Sequence, residues 1–338
     1  MNQHLNQSYP VSVYYRLIAL WATCEAFAGG IMHAAKVPFT GMIISSLAII
    51  CISLIAWHFP SKGFVLKATI IVAIFKLMLS PHSPPTAYIA VFFQGLMGQL
   101  LLSNKKYFRA ATVLLAVLAL VESAVQRILV LIIIYGNQFW HAIDEFIRKT
   151  TGQKQVTQYS SMLAVGYITL HAIVGIFIGF VAARIATASN QWRTKYPELL
   201  ITQTNKTIIE AVAKNQNRFK MKWLFILLFS MLLFLFIQAY LDPGHPILPL
   251  GKVTWIILRA SLLILAWYLL IGPLLMTWLK SMLGKQRSKY REEIEQVAAL
   301  IPQTKDLFTK AIRASAKEKG LARLKYFFKA LLVNTIAG

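Results

Sequence analysis

Long apolar runs separated by short polar segments dominate the pattern of this chain. A hydrocarbon core about 30 Å thick needs roughly 20 apolar residues in a helix that crosses it, and eight runs approach or exceed that length. The pattern therefore predicts an all-α, polytopic membrane protein with about eight transmembrane helices. The predicted spans are Leu17–Ala35, Gly41–Trp57, Phe64–Leu79, Ala87–Leu102, Ala110–Ile134, Ser161–Arg184, Trp223–Tyr240 and Val253–Leu283. In the last span, Gly272-Pro273 is expected to kink or break the helix.

Composition agrees with this pattern. Of the 338 residues, 57% are hydrophobic and 14% are charged, with a mean hydropathy of +0.59. Soluble domains have about 25% charged residues, so most of this chain is expected to be solvated by lipid. The two cysteines, Cys24 and Cys51, both fall inside apolar runs, and they form neither a disulfide framework nor a metal-binding spacing.

The net charge of +23 predicts the orientation of the chain. In a soluble protein such a charge suggests nucleic acid, but membrane proteins concentrate Lys and Arg in their cytoplasmic loops. The basic segments follow spans two, four, six and eight, so both termini are predicted to be cytoplasmic in a multi-pass protein of the inner (cell) membrane. The opposite loop "SPHSPPTAY" (Ser80–Tyr88) has no Lys or Arg. Membrane lipids are expected partners, and nucleic acid is not.

The spacing of basic and amphipathic segments divides the chain into three parts. Residues 1–188 are predicted to form a six-helix membrane domain, 189–222 a basic cytoplasmic linker, and 223–338 two spans followed by a basic amphipathic tail. Cytoplasmic helices in this tail are expected to break near Pro302 and Gly320. The segment "QFWHAIDEFIRK", with apolar residues at helical spacing, is predicted to be a helix on the outer surface.

Polar residues within the predicted spans are candidates for a binding site. Ionisable groups are costly inside a membrane and are usually retained for a function. The predicted orientation places them in the outer half, where they are expected to line a cavity for a small polar solute. The candidate residues are Glu25, His33, Lys76, Gln94, Glu122, Gln126, Arg127 and His171. Two alternatives remain open: structural ion pairs (Glu25 with Lys76, or Glu122 with Arg127), and hydrogen bonds of Gln and His between helices.

Small residues recur along two of the spans. Ala22, Ala26 and Gly30 follow one another at four-residue spacing, as do Gly175 and Gly179, so each set lies on one helix face. Such faces let helix backbones approach closely. They are predicted either to pack helices within the bundle or to form a docking face for another membrane subunit.

Sequence signatures of enzymes are absent. The chain contains no G-x-x-x-x-G-K-[ST], H-E-x-x-H or G-x-S-x-G motif, so ATP hydrolysis by a P-loop and the common hydrolase mechanisms are not expected. His141 and Glu145 stand at i and i+4, a spacing compatible with a metal, but on an exposed helix they are expected to be a solvated pair. The protein is predicted to be neither an enzyme nor a protein with a metal or cofactor.

The region 1–188 resembles the substrate-binding S component of energy-coupling-factor transporters. The resemblance rests on its six predicted helices, on Ala22 and Ala26 within "ATCEA", and on "SPHSPPTAY" followed by "VFFQGLMGQLLL". It implies a vitamin or metal ion as solute, bound under outer loops, and docking through the first helix to a transmembrane partner.

The C-terminal region, about 215–338, looks like part of the T component of the same transporters. That resemblance implies separate ATPase subunits as partners, although the paired Ala-Arg-Gly signature is absent and the nearest strings are "AIRAS" and "KGLAR". The alternative for the tail is a basic amphipathic segment that lies on anionic lipid. The sequence therefore favours a solute-binding membrane subunit of such a transporter. The alternatives are a membrane scaffold or assembly protein that recruits a cytoplasmic partner through its basic linker and tail, and a lipid- or isoprenoid-modifying membrane enzyme.

Overall fold

The described part of the chain is built from ten main helices and contains no strand. A computed structural model describes residues 11–28, 39–80, 83–152, 158–199, 230, 233–234, 236–241 and 250–337. The helices are α1 (Val11–Thr23, prolonged by a π-helical turn, Cys24–Ala28), α2 (Thr40–His58), α3 (Phe64–Leu79), α4 (Pro85–Leu101), α5 (Phe108–Thr151), α6 (Tyr159–Ala188), α7 (Leu250–Ala266), α8 (Gly272–Lys289), α9 (Arg291–Ala314) and α10 (Gly320–Ala337).

Four helices of this part are long and apolar enough to cross a membrane. They are Thr40–His58, Lys105–Asn137, Tyr159–Gln191 and Leu250–Lys289. The predicted all-helical fold is therefore confirmed, and these four helices suggest a membrane protein, whereas eight spans were predicted. At 16 and 17 residues, α3 and α4 are shorter than these four. Most of the predicted span Trp223–Tyr240 and of the basic linker lies outside the described residues.

The helix from Leu250 to Lys289 stays continuous across Gly272-Pro273. A π-helical turn, Trp267–Ile271, joins α7 to α8, and the N–H of Gly272 donates to the carbonyl of Trp267. This turn takes up the distortion that a proline imposes on a helix. Forty residues of helix are about 60 Å long, roughly twice the thickness of the hydrocarbon core of a membrane.

The bundle has two recognisable ends. The basic end carries the α2–α3 and α4–α5 connections and the residues after α6, where the Tyr14 hydroxyl donates to the Phe64 carbonyl (2.7 Å). The distal end carries the α3–α4 and α5–α6 connections. From Leu17 to Thr23, helix α1 is buried on all sides, with Leu17, Ile18 and Trp21 fully buried, and α1 packs against α2, α3, α9 and α10. A helix that is apolar all round is normally enclosed in this way.

Helices α5 and α6 pack with their backbones in close approach. A Cβ added to Gly175 would lie 2.8 Å from the Cα of Val117, and one added to Gly179 would lie 2.5 Å from the Cα of Val113. Real Cβ atoms do not approach a backbone so closely, so only glycine fits here. The alignment of these two pairs shows that α6 runs antiparallel to α5.

A kink at Gly136 divides α5. This glycine has φ 72° and ψ 174°, and the helix continues to Thr151, so the predicted outer helix is the far part of α5. Asp144 there accepts hydrogen bonds from the Ser160 N–H (2.7 Å) and hydroxyl (2.9 Å), which ties it to the first turn of α6. The far part also packs against α7: Phe139 and Ala142 share a small core with Val253.

We expect Gly136→Ala to lower the stability of the protein by about 1–3 kcal/mol, because its backbone conformation is one that essentially only glycine adopts. The added Cβ would also lie 2.5 Å from Nη1 of Arg259 on α7, whose Nη2 donates to the Ile133 carbonyl beside the kink (3.4 Å). Arg259 is flexible and is expected to move away, weakening the contact of α7 with α5.

Unfolding of the Gly136→Ala variant in detergent, followed by circular dichroism, measures the change in stability. Gly251→Ala in α7, where nothing lies within 4 Å, is the control; equal stability of the two variants would contradict the account.

Three contacts fasten α9 and α10 to the basic end. Lys67 at the start of α3 forms an ion pair with Glu293, Asn334 donates to the Leu199 carbonyl (2.7 Å), and the Lys329 ammonium lies 3.3 Å from the centre of the Tyr196 ring. Burial is the largest influence and raises the pKa of Glu293, but the hydrogen bond from Lys67, a backbone hydrogen bond and the charge of Lys67 together leave that pKa below its ordinary value. The carboxylate is therefore charged at neutral pH and holds the pair.

The predicted break near Pro302 does not occur. Pro302 lies inside α9 on the exposed side of the helix, as does Ala298 one turn earlier. Water can therefore satisfy the Ala298 carbonyl that loses its helical partner, and the helix tolerates the proline. The predicted break near Gly320 is present: α9 ends at Ala314, and α10 begins at Gly320, whose φ is +56°.

Candidate functional site

A buried ion pair connects α1 to α3 in the distal half of the bundle. The Lys76 ammonium lies 2.6 Å from Oε2 of Glu25, and the two side chains are 8% and 3% exposed. Glu25 sits in the π-helical turn that prolongs α1, a distortion that often marks functional sites. The Lys76 ammonium also lies 6.0 Å from the centre of the Tyr88 ring on α4. Of the alternatives left open by the sequence, the structure forms the Glu25–Lys76 pair.

Two glutamines bridge helices close to this pair. Gln94 of α4 donates through Nε2 to the Ser45 hydroxyl of α2 (3.0 Å). Gln126 of α5 donates through Nε2 to the Thr86 carbonyl in the first turn of α4 (3.1 Å). These bonds join α2, α4 and α5, so polar side chains from five helices lie in the distal half of the bundle.

We call this group the polar layer. It consists of Trp21, Glu25, Ser45, Lys76, Tyr88, Gln94, Glu122 and Gln126. Most of its members are buried; Glu122 and Gln126 are half-buried. Trp21 belongs to it because it lies one helical turn before Glu25, on the same side of α1.

Four buried atoms of the polar layer have no hydrogen-bond partner among the described residues. They are Nε1 of Trp21, the Tyr88 hydroxyl, Oε1 of Gln94 and Oε2 of Glu122. Buried polar atoms are nearly always hydrogen-bonded, because leaving one unpaired costs about 1–3 kcal/mol. Four such atoms in one half of the bundle therefore call for a partner beyond the described residues, and water or a solute can supply it.

The orphaned atoms define the chemistry of that partner. Oε1 of Gln94 accepts, Nε1 of Trp21 donates, and the Tyr88 hydroxyl does both. Glu25 and Lys76 neutralise each other, so Glu122 is the one carboxyl group of the layer without a cation beside it in the described structure. The arrangement suits a small solute with both hydrogen-bond donors and acceptors.

The next question is whether the described residues could bind a metal ion. The described residues contain no group of three or more His, Cys, Asp or Glu side chains that could hold a metal ion. The Glu145 carboxylate of the His141–Glu145 spacing instead binds Arg148, whose Nε lies 3.0 Å from it.

Not every predicted site residue joins the polar layer. His171 is buried, but its Nδ1 lies 2.9 Å from the Tyr167 carbonyl of its own helix, and its ring is tilted against the rings of Phe39 and Tyr167. Arg127 is exposed and does not pair with Glu122 in the described structure, since five helical positions rotate a side chain by about 140°. His33 lies outside the described residues.

The small residues were predicted either to pack helices within the bundle or to form a docking face, and those that the structure describes are buried. Ala22 and Ala26 are 0% and 4% exposed, and Gly175 and Gly179 press against the backbone of α5. In the described structure these four residues pack helices of the same chain and present no face to another subunit. Gly30 lies outside the described residues.

Sequence reasoning missed three members of the layer, Trp21, Ser45 and Tyr88. Tyr88 lies near the end of its span, where a tyrosine resembles an interfacial anchor. The spacing of Trp21 to Glu25 was a usable signal, because residues four apart share a helix face. Ser45 stands in "IISSLA" and resembles the many serines that bond to their own helix, so nothing in the sequence distinguished it.

Comparisons with protein-family models, with curated proteins and with solved structures found no match for this chain. The resemblance to transporter S and T components rests on the sequence features described above.

Proposed function

We propose that the protein is a membrane subunit of a transporter of the energy-coupling-factor type and that it binds a small polar solute in the polar layer. The observation that carries the proposal is the set of four buried polar atoms that have no partner among the described residues. A solute that bonds to them compensates their desolvation, and the apolar residues around them exclude water. The proposed orientation places both termini and the basic end in the cytoplasm, so that the polar layer lies in the outer half of the membrane.

The packing of the C-terminal helices supports a single assembled unit. In the proposed transporter, α1 is the helix expected to dock to a transmembrane partner, and α9 and α10 of the same chain pack against it. The T-like region would then supply this contact within the chain, and separate ATPase subunits would bind from the cytoplasmic side.

The experiment that tests the function is the identification of a solute that copurifies with the protein. Small molecules extracted from the purified wild-type protein, from Glu122→Gln and from Gln94→Leu are compared by mass spectrometry. We expect one solute to be enriched in the wild type and to fall by about 10- to 100-fold in the variants, the effect of losing a hydrogen bond worth about 1.5–3 kcal/mol.

Gln99→Leu is the matched control for Gln94→Leu. Gln99 lies on the same helix, but its Oε1 accepts from the Gly63 N–H (3.1 Å) at the basic end, away from the polar layer. This variant is expected to retain the solute. Equal solute content in Gln94→Leu and Gln99→Leu, or no enriched solute in the wild type, would contradict solute binding in the polar layer.

The second candidate function is a membrane scaffold that recruits a cytoplasmic partner. It is favoured by the many exposed Lys and Arg side chains of α8, α9 and α10. A scaffold does not require a solute, so copurification of a cytoplasmic protein without any enriched solute would favour it.

A further inference from the structure

The connection between α9 and α10 carries a dense group of exposed charges beside exposed apolar side chains. Its cations outnumber its acids five to one, and all six side chains are exposed. The apolar members Ile312, Leu321 and Leu324 are 51%, 85% and 53% exposed. We call this surface the turn patch. It consists of Ile312, Arg313, Lys317, Glu318, Lys319, Leu321, Arg323, Leu324 and Lys325.

The turn patch has a defined shape. The Ser315 hydroxyl donates to the Ile312 carbonyl (2.9 Å), the Glu318 N–H donates to the Ser315 carbonyl (3.1 Å), and Gly320 adopts φ +56°. The two helices that hold it are fastened to the basic end by Glu293 and by Asn334. The patch therefore belongs to an anchored helical hairpin.

We propose that the turn patch binds the surface of an anionic lipid bilayer. Anionic headgroups attract Lys and Arg near a membrane surface, and the adjacent acyl chains accept exposed apolar side chains of an amphipathic helix. Leu321, Leu324 and Lys325 are spaced three and four residues apart, so they lie on one side of α10. That side combines hydrocarbon with positive charge.

The apolar members select the bilayer over other anionic partners. Nucleic acid and acidic peptides neutralise cations, but they offer little hydrocarbon to Leu321, the most exposed of the large apolar side chains described. A bilayer supplies both components at one surface. The proposal does not depend on solute binding in the polar layer, and its test involves no solute.

The test places a fluorescent label at Leu321→Cys in the full-length protein. Cys24 and Cys51 are buried, so the new thiol is the one expected to react. The labelled protein is reconstituted into nanodiscs of phosphatidylcholine, with or without phosphatidylglycerol, that contain a lipid with a nitroxide quencher near its headgroup. We expect stronger quenching in the anionic discs and a decrease as salt is added, because salt screens the attraction.

Charge variants then test the role of the cations. Arg323→Gln with Lys325→Gln is expected to weaken the bilayer-bound state by about fivefold for each charge removed. The control pair, Lys62→Gln with Arg109→Gln, removes two exposed cations of the basic end outside the patch and is expected to leave the quenching unchanged.

Three results would overturn the proposal. The first is equal quenching in neutral and anionic discs, and the second is equal quenching in the two charge variants. The third is full access of iodide to the label in anionic discs, which would show that the patch faces solution and is open to a soluble partner. The salt titration uses the labelled protein with all its charges, so it remains informative if a charge variant fails to fold.

Discussion

Glu25→Gln is expected to destabilise the folded protein by about 3–5 kcal/mol, because it leaves the Lys76 ammonium buried without its counter-ion. The two groups lie 2.6 Å apart and almost entirely out of solvent. A neutral amide retains a hydrogen bond to Lys76 but not the charge that compensates desolvation. Lys76→Met is expected to lower the stability by a similar amount, because it leaves the Glu25 carboxylate buried without its counter-ion.

The double variant Glu25→Gln with Lys76→Met separates the cost of a stranded charge from the net contribution of the pair. Replacing both members of a buried pair is often close to neutral, so we expect the double variant to be more stable than either single variant. Equilibrium unfolding of all four proteins by SDS in mixed micelles gives the coupling free energy.

Glu295→Gln is the matched control for the Glu25 variant. Glu295 pairs with Arg291 at 2.9 Å, but the two side chains are 66% and 81% exposed, and exposed pairs contribute little. We expect no measurable change in its stability. If Glu25→Gln were as stable as Glu295→Gln, the buried pair would not be a structural element of the bundle.

Gly179→Leu is expected to destabilise the packing of α6 on α5 by about 3 kcal/mol or more, at the upper end of the range for overpacked cores. The new side chain would collide with the backbone of α5. Even its Cβ would lie 2.5 Å from the Cα of Val113, and no rotamer change relieves that contact. The two helices must separate along their length, which also disturbs the neighbouring contact of Gly175 with Val117.

Gly166→Leu in the same helix is the control, because nothing lies within 4 Å of a Cβ at that position. The same unfolding measurement is expected to show little change for Gly166→Leu and a large loss for Gly179→Leu. Gly179→Ala should fall between them, since its Cβ already meets the backbone. Similar stability of the two leucine variants would contradict the close approach of α5 and α6.

The helices were predictable because their ends are marked locally. The predicted span Phe64–Leu79 has the same bounds as α3, and Gly41–Trp57 differs from α2 by one residue at each end. Prolines and glycines near these ends interrupt the apolar pattern. The length of α5 was underestimated because polar residues after Ile134 suggested an end, whereas one glycine with positive φ bends the helix and lets it continue.

The partners of the polar residues were less predictable. The cost of burying charge singled out Glu25, Lys76 and Glu122 from the sequence, and the structure places all three in the polar layer. Which cation would meet which carboxylate depended on how helices distant in sequence pack, so Glu25–Lys76 and Glu122–Arg127 were equally open. The packing of α9 against α1 was also not predictable from the sequence. The pattern of an amphipathic helix shows that it has an apolar side but not which surface that side contacts.

The enclosure of α1 has a consequence for the order in which the protein is made. Its neighbours α9 and α10 leave the ribosome almost the whole length of the sequence later, which at 5–20 residues per second is a delay of about tens of seconds. During that time part of the surface of α1 is not covered by protein. Contacts between such distant segments form slowly, so the enclosure of α1 is among the last steps of biogenesis, and a chain interrupted before α9 is released with this surface open to chaperones, proteases and foreign helices.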